Sequence, residues 1–372
     1  MSGLYLHIPF CRRKCPYCDF FSVAGREELL ASYHRLLIRQ LNMAVDAGWR
    51  GPFATVFFGG GTPSLLRPGQ VAEILEAVAA GPGLAPDAEI SFEANPGTLG
   101  PDTLRQLRSL GVNRLSLGVQ SLDDGRLRQL RRLHDATTAC RVIDEARRAG
   151  FDNLSCDLMF ALPGQDCREL EGELRRLLAF APEHVSIYGL SIEEETPWAA
   201  APPALPDEET YAAMYRLIHG LLADAGYRHY EISNFAQPGR ECRHNLAYWR
   251  RRTCLGLGAG AHSFSAAGWG ERLATPADLD LYRRRLDGGR DPMQSLEQFD
   301  RRGAMAETVY LALRTADGLS AAGFREIFGQ DFAEVFAVAR TRAGDALRRE
   351  GDRWFLSWRD WLLYDHLIAY FL

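Results

Sequence analysis

Lysine is almost missing from this chain. Of 43 basic residues in 372 positions, Lys14 alone is a lysine. The arginines that replace it are spread along the sequence, which fits genome codon preference; an arginine-based function would gather them. Long apolar runs are missing too, and none approaches the roughly 20 residues that span a bilayer. The first ten residues, MSGLYLHIPF, have neither the basic n-region nor the long apolar h-region of a signal peptide. A cytoplasmic chain is therefore expected, with at most peripheral membrane contact through a partner. The net charge of −5 gives no global attraction to nucleic acid or to anionic lipid. In a reducing compartment the eight cysteines are not a disulfide framework. Five of them, Cys140, Cys156, Cys167, Cys242 and Cys254, are scattered as small buried hydrophobes would be.

What is present is a rhythm. Short β-rich runs recur at 4–8, 54–58, 89–94, 114–119, 153–159 and 184–190. Stretches with apolar residues three and four apart lie between them, at 26–45, 69–80, 102–110, 138–149 and 168–180. Strand alternating with helix six times predicts βα units around a parallel sheet. The proline-rich APPALP (201–206) is the first plausible seam, before a helix at 207–226. The expected division is a core barrel over 1–235, a connecting segment over 236–290 and a helical domain over 291–372. In the last, helices are read at 296–316, 320–329, 331–351 and 361–372, with one strand, RWFLSW, at 353–358, a winged-helix-like pattern. DNA binding is the tempting function for such a domain. Arg340, Arg342, Arg348 and Arg349 are interleaved with Asp331, Glu334, Asp345 and Glu350, so no clean basic stripe appears.

Polar or glycine-rich clusters fall at the end of each expected strand: three cysteines after the first, GGGTPS (59–64) after the second, then Glu93 with Asn95, Gln120 with Ser121, Asp157, and Tyr188 with Ser191. In a barrel of βα units all strand C-termini open on one face, where active sites are built. The cysteines sit in CRRKCPYC, as Cys11, Cys15 and Cys18. Zinc would want a fourth ligand, and His7 alternates away from the loop. A redox pair uses only Cys15 and Cys18. An iron–sulfur cluster is the stronger reading, because thiolates are its usual ligands and three of them on four irons leave one iron free for a substrate. The glycine run lets backbone approach a ligand closely, and no Lys–Ser/Thr pair follows it, so it is not a Walker loop. GLGAGA (256–261) fits a dinucleotide pattern but lacks the strand-and-helix context. It reads as a tight turn bringing backbone near the cofactor pocket.

The Cys-x3-Cys-x2-Cys spacing after a first strand, with a glycine run after the second, resembles the radical S-adenosylmethionine (SAM) superfamily. The segments LYLHIPFCRRKCPYCDF, FFGGGTPSLL, EANPGTL, RLSLGVQSLDD, DLMFALPGQ, HVSIYGL and YEISNFA resemble the branch that holds oxygen-independent coproporphyrinogen III oxidase and the HemW-type heme chaperones. That resemblance implies an incomplete (β/α)6 TIM-like radical SAM barrel with a helical, winged-helix-like C-terminal domain. It implies a [4Fe-4S] cluster on Cys11, Cys15 and Cys18, whose reduced form passes one electron to SAM to give methionine and a 5′-deoxyadenosyl radical. Carried over by position, Tyr5, Gly60, Gly61, Thr62, Glu93, Gln120, Arg132 and Asp157 contact SAM, and Tyr17 lies near the cofactor. Arg132 is suited to the SAM carboxylate. The oxidases carry a further cysteine two residues after the third, where this chain has Phe20. That departure, together with RHNLAYW (243–249), which is similar to the HNxxYW motif of the chaperone branch, implies a protein that binds heme and passes it to an acceptor protein. His244 is then the heme ligand, ahead of His262 and Cys254, while Tyr248 and Trp249 offer flat apolar faces. The alternative is the oxidase itself, decarboxylating propionate side chains. A DNA-binding regulator with a structural cluster is disfavoured by charge.

Overall fold

The computed structural model describes residues 2–372. Six βα units come first: β1 (Ser2–Ile8) and α1 (Glu27–Asp46), β2 (Phe53–Gly60) and α2 (Pro68–Ala80), β3 (Leu84–Ala94) and α3 (Pro101–Ser109). They continue with β4 (Arg114–Gln120), α4 (Asp124–Gln129) and α5 (Ala136–Arg148), then β5 (Leu154–Phe160) and α6 (Cys167–Leu178). The sixth is β6 (His184–Gly189), followed by the short α7 (Pro197–Ala200) and by α8 (Glu208–Asp224). Aspartates start several of these helices: Asp135, Asp166 and Asp207 each accept a backbone N–H from three residues on, which satisfies a donor the helix cannot.

β1 to β6 pair in parallel and in sequence order. The sheet is wider than six strands. On one side β8 (Asn234–Ala236) runs antiparallel on β6 and pairs with β7 (Arg228–Glu231). On the other side β9 (Cys254–Leu257) runs parallel to β1. Beyond β9 follow the antiparallel β10 (His262–Ser265), β11 (Glu271–Ala274) and β12 (Gln294–Gln298). Between β8 and β9 lies α9 (Arg243–Trp249), and α10 (Leu279–Asp287) packs against α1. The sheet order runs from β12 to β7 without those two edges joining, so the barrel stays open.

Strand periodicity decides what faces inward. In β3, Ile90 and Phe92 belong to the apolar core under the helices, so Glu89, Ser91 and Glu93 point the other way. In β4 the same division separates Leu115, Leu117 and Val119 from Arg114, Ser116, Gly118 and Gln120. On these two strands the face inside the barrel is therefore polar, and the main apolar core lies between sheet and helices.

A second apolar core is built from Ala304 to Phe371. It contains α11 (Arg301–Ala312), β13 (Leu319–Ser320), α12 (Ala321–Phe328), α13 (Phe332–Val335), α14 (Ala337–Ala343), β14 (Leu347–Glu350), β15 (Arg353–Leu356) and α15 (Tyr364–Ile368). Three strands in the order β13-β15-β14 flank the helices. The helix expected over 331–351 is two short helices and a strand, because LRRE pairs with RWFL across a turn in which Gly351 has φ +54°. The helix expected over 361–372 is shorter, reaching only Tyr364–Ile368 after a 3-10 turn at Asp360–Leu363.

Candidate active site at the strand ends

The C-terminal ends of β1 to β6 enclose a cavity of about 420 Å³, within the range of small-molecule sites. Tyr17, Cys18, Gly60, Gly61, Thr62, Glu93, Gln120, Arg132 and Asp157 all line it. Three loops and four strand ends that are far apart in sequence therefore supply one pocket.

The cysteine loop follows β1 and is pinned by Cys11 N–H donating to Val23 O at 2.9 Å. The Thr62 hydroxyl donates to Cys11 Sγ at 3.4 Å, and an Arg132 N–H lies 3.8 Å from Cys15 Sγ. Burial raises the Cys18 thiol pKa, and the neighbouring Cys15 and Cys11 push the same way. Among the described residues, no three His, Cys, Asp or Glu side chains converge tightly enough to hold one metal ion. Three thiols in a single loop, beside a pocket and with hydroxyl and guanidinium donors on the sulfurs of Cys11 and Cys15, fit a cluster in which three of the four irons each take one thiolate. Tyr17 lies between them in sequence, with its ring 5.9 Å from that of Trp198.

Gly60 has φ +109° and its N–H donates to Glu93 Oε2 at 3.2 Å. A Cβ there would stand 2.6 Å from the His7 ring, and one on Gly61 would stand 2.8 Å from Phe10 O and 3.0 Å from Cys11 Sγ. The glycines are thus required by their own backbone conformation and by close packing on β1 and the cysteine loop. The His7 ring below them is fixed by Tyr5 OH at 3.0 Å and Phe21 O at 2.9 Å.

Two carboxyl groups face the cavity. Burial pushes Glu93 up to about 8, with the charge of Asp157 acting in the same direction. Burial also pushes Asp157 up to about 6, against hydrogen bonds from Ser116 at 3.0 Å and Ser155 at 3.2 Å and the charge of Arg114. A cationic ligand would favour the ionised form of both. Arg132 is half-buried behind them. It donates to Gly118 O at 2.8 Å and to Asn95, and its Nε has no partner. That unsatisfied donor beside the thiols is what an anionic ligand group would complete. Gln120 holds φ +67°, an uncommon conformation for a non-glycine residue, and accepts from Tyr188 OH at 2.8 Å.

Four of the expected residues are not on this wall: Cys11 and Cys15 lie beside it in the cysteine loop, while Tyr5 and His244 lie elsewhere. Tyr5 does not line the cavity; it is inside the barrel, stacked on Phe57. His244 is at the opposite end, where α9 plugs the barrel floor. It is 1% exposed, its ring stacks on Phe57 at 5.0 Å, Nδ1 lies 2.8 Å from Thr55 Oγ1 and Nε2 lies 3.1 Å from Tyr248 OH. Burial lowers its pKa to about 3. Both ring nitrogens are occupied within the protein, and Cys254 beside it is equally buried. The GLGAGA turn packs on His7, Tyr33 and Phe21 beneath the cysteine loop and contributes no wall to the cavity.

Sequence reasoning passed over the residues that join the two ends. Glu89 accepts from Arg243 N at 3.0 Å and His244 N at 3.1 Å, capping α9. Arg114, 2% exposed, feels the charges of Glu89 and Asp157. From Asp157 a chain runs through Ser155 to His184 Nδ1 at 2.9 Å, from His184 Nε2 to Tyr230 OH at 2.8 Å, and to Cys242 N at 3.3 Å. The signal was available: in EISFE and RLSLGVQ the polar residues alternate with the apolar ones.

The sequence profile of the radical SAM superfamily matches residues 5–177, and that of the HemN C-terminal domain matches residues 299–363. The protein of Escherichia coli (strain K12) called heme chaperone HemW is 42% identical over 261 residues, which is 70% of this chain and 69% of the relative. Its namesake in Bacillus subtilis (strain 168) is 32% identical over 343 residues, 90% of this chain and 89% of the relative. Among solved structures, coproporphyrinogen III oxidase (HemN) from Escherichia coli, described as a radical SAM enzyme, superimposes with a TM-score of 0.87. It spans 100% of this chain and 89% of that one at 22% identity, a likeness of fold.

Proposed function

The chain belongs to the heme chaperone HemW family of radical SAM proteins, and from that premise we propose that it binds heme and delivers it to an acceptor protein while carrying a [4Fe-4S] cluster and SAM. The radical SAM membership itself implies the cluster and SAM. Cys11, Cys15 and Cys18 would hold the cluster, which when bound supplies a single electron to the SAM sulfonium. Arg132, whose Nε–H has no partner in the protein, would take the SAM carboxylate. Glu93 and Asp157 would ionise beside a cationic ligand and accept hydrogen bonds from its ammonium or hydroxyl groups. Gly60, Gly61 and Thr62 would form part of the wall around it.

The observation that carries the chaperone reading is the pair of relatives at 42% and 32% identity that bear that name. Phe20 supports it, since it stands where the oxidases have a fourth cysteine and lies 63% exposed at the rim of the cavity. His244 can reach iron only after α9 turns out of the floor and releases Thr55 and Tyr248. No helix of the described residues is long and apolar enough to cross a membrane. The test is a hemin titration beside an anaerobic porphyrinogen turnover assay on the reconstituted protein. Stoichiometric heme binding without turnover supports the chaperone; SAM-dependent formation of protoporphyrinogen overturns it.

A further inference from the structure

The cysteine loop has two sides, and they differ in charge. Toward the strand-end cavity lie Cys18 and the carboxyl-bearing side chains of Asp19, Glu93, Asp157 and Glu193, against the guanidinium of Arg132. Cys15 is on the wall of a separate dimple, where Arg12, Arg13, Arg131 and Arg132 meet and no carboxylate is present. Lys14, the only lysine of the chain, stands exposed between Arg13 and Cys15. Arg12 reaches no more than Gly97 O at 3.5 Å, and Arg13 donates to the carbonyls of Arg131 at 2.7 Å and Arg132 at 3.4 Å. Lys14 and Arg131 make no side-chain hydrogen bond or ion pair among the described residues.

A chain of net charge −5 thus gathers cations around one cysteine without a counter-charge. Their mutual repulsion is relieved by an acidic surface brought against them. The dimple holds only about 40 Å³, far less than a small-molecule site needs, so its fitting occupant is the surface of a macromolecule. Leu133 is 58% exposed, one of the few large hydrophobic side chains open to solvent, and it belongs to this wall. An apolar contact inside a charged rim is the make-up of a protein interface. A single-stranded nucleic acid asks instead for aromatic side chains on which bases stack, and no Phe, Tyr or Trp is on this wall.

A cluster on the three cysteines takes its electron from a donor, and such a transfer needs close approach of the two redox groups. Because Cys15 is on the dimple wall, a protein can come near the cluster there without entering the SAM cavity. We propose that Arg12, Arg13, Lys14 and Arg131, with Leu133 among them, dock a small acidic carrier protein that brings one electron to the cluster. The carrier's reduced group loses one electron, the cluster gains it, and no bond forms or breaks. The inference rests on the cluster reading above and deepens it: donor and SAM approach different sides of one loop.

The experiment uses the full chain with an acidic flavodoxin as the carrier. Lys14 is the only lysine, so a carbodiimide can join its amine to a flavodoxin carboxylate, and peptide mapping separates that bond from one at the α-amine. A one-to-one product through Lys14 is expected at low salt and should fade as salt rises, because exposed charges are screened. One exposed charge pair is worth roughly twofold to fivefold in affinity. Arg12→Glu combined with Arg131→Glu reverses two charges and should weaken flavodoxin by about tenfold or more. A urea midpoint and a SAM affinity at the wild-type values show that the double variant folds. After reconstitution, reduced flavodoxin should bleach the iron–sulfur absorbance more slowly in the double variant, while dithionite, which needs no docking surface, bleaches both alike. Flavodoxin affinity within twofold of wild type in the double variant, or cross-links that avoid Lys14, overturn the surface. Salt-dependent binding of a single-stranded oligonucleotide with no binding of flavodoxin overturns it as well. A wild-type chain that docks flavodoxin through Lys14 yet takes up no cluster sinks the cluster reading and keeps the docking surface.

Discussion

Replacing Glu93 by glutamine tests the electrostatics of the strand-end cavity without removing its shape. In the folded protein Glu93 is pushed to about 8 by burial and by Asp157, far above an ordinary glutamate near 4.3. The folded state therefore keeps a proton that the unfolded state loses, and stability falls as pH rises between the two values. Asp157, raised to about 6, acts in the same sense but only at lower pH, and neutral buried histidines such as His244 act in the opposite one. Comparing variant with wild type cancels the histidines. Glutamine cannot ionise, so its advantage over glutamate should be small at pH 5 and should widen by roughly 2–3 kcal/mol on going to pH 7, by linkage. The assay is urea unfolding of the apoprotein at both values. In the wild type, SAM brings positive charge and should bind more tightly as pH rises from 6 toward 8, whereas the variant should bind weakly with a flatter profile. An equal gap between variant and wild type at pH 5 and pH 7 would refute the argument, because it would mean that Glu93 is already ionised when the cavity is empty.

Three other outcomes are expected. Cys11→Ala, Cys15→Ala and Cys18→Ala each lose the iron–sulfur absorbance after anaerobic reconstitution, while Cys140→Ala, on α5 and packed against the core under the helices, retains it. Gly60→Val should destabilise the chain by about 2–5 kcal/mol, combining a left-handed backbone cost with overpacking on His7, and an unchanged urea midpoint would show that the strand end has another way to relax. His244→Ala leaves the Thr55 and Tyr248 hydroxyls short of a partner in a buried site and should cost about 1–3 kcal/mol, visible as a lower melting temperature whether or not heme is present.

The cavity was largely legible in the sequence because its residues are of unusual type at a regular position. Three cysteines, three glycines, Glu93, Gln120 and Asp157 each follow a run of β-formers, and a parallel barrel brings all such positions to one face. What could not be read is depth. RHNLAYW names a histidine and two aromatics, but nothing local says that Thr55 and Glu89, more than 150 residues away, close on it. The same limit applies to Gly60, whose neighbour is the His7 ring and not a ligand. In the C-terminal domain, ALRRE has the composition of a helix, yet it pairs as a strand because RWFL returns beside it and Gly351 permits the turn. Local preference lost there to a tertiary partner.

β3 carries Glu89 at the floor and Glu93 at the mouth, on the same side of one strand. At a strand's rise the two carboxyl-bearing residues are about 13 Å apart along a single rod. One end grips the first turn of α9; the other grips the Gly60 amide. A strand held on both edges by β2 and β4 cannot slide past its neighbours without breaking both ladders, so the distance between the two grips is fixed. Five residues of one strand, Glu89 to Glu93, thus set both the seat of α9 and the position of the Gly60 turn.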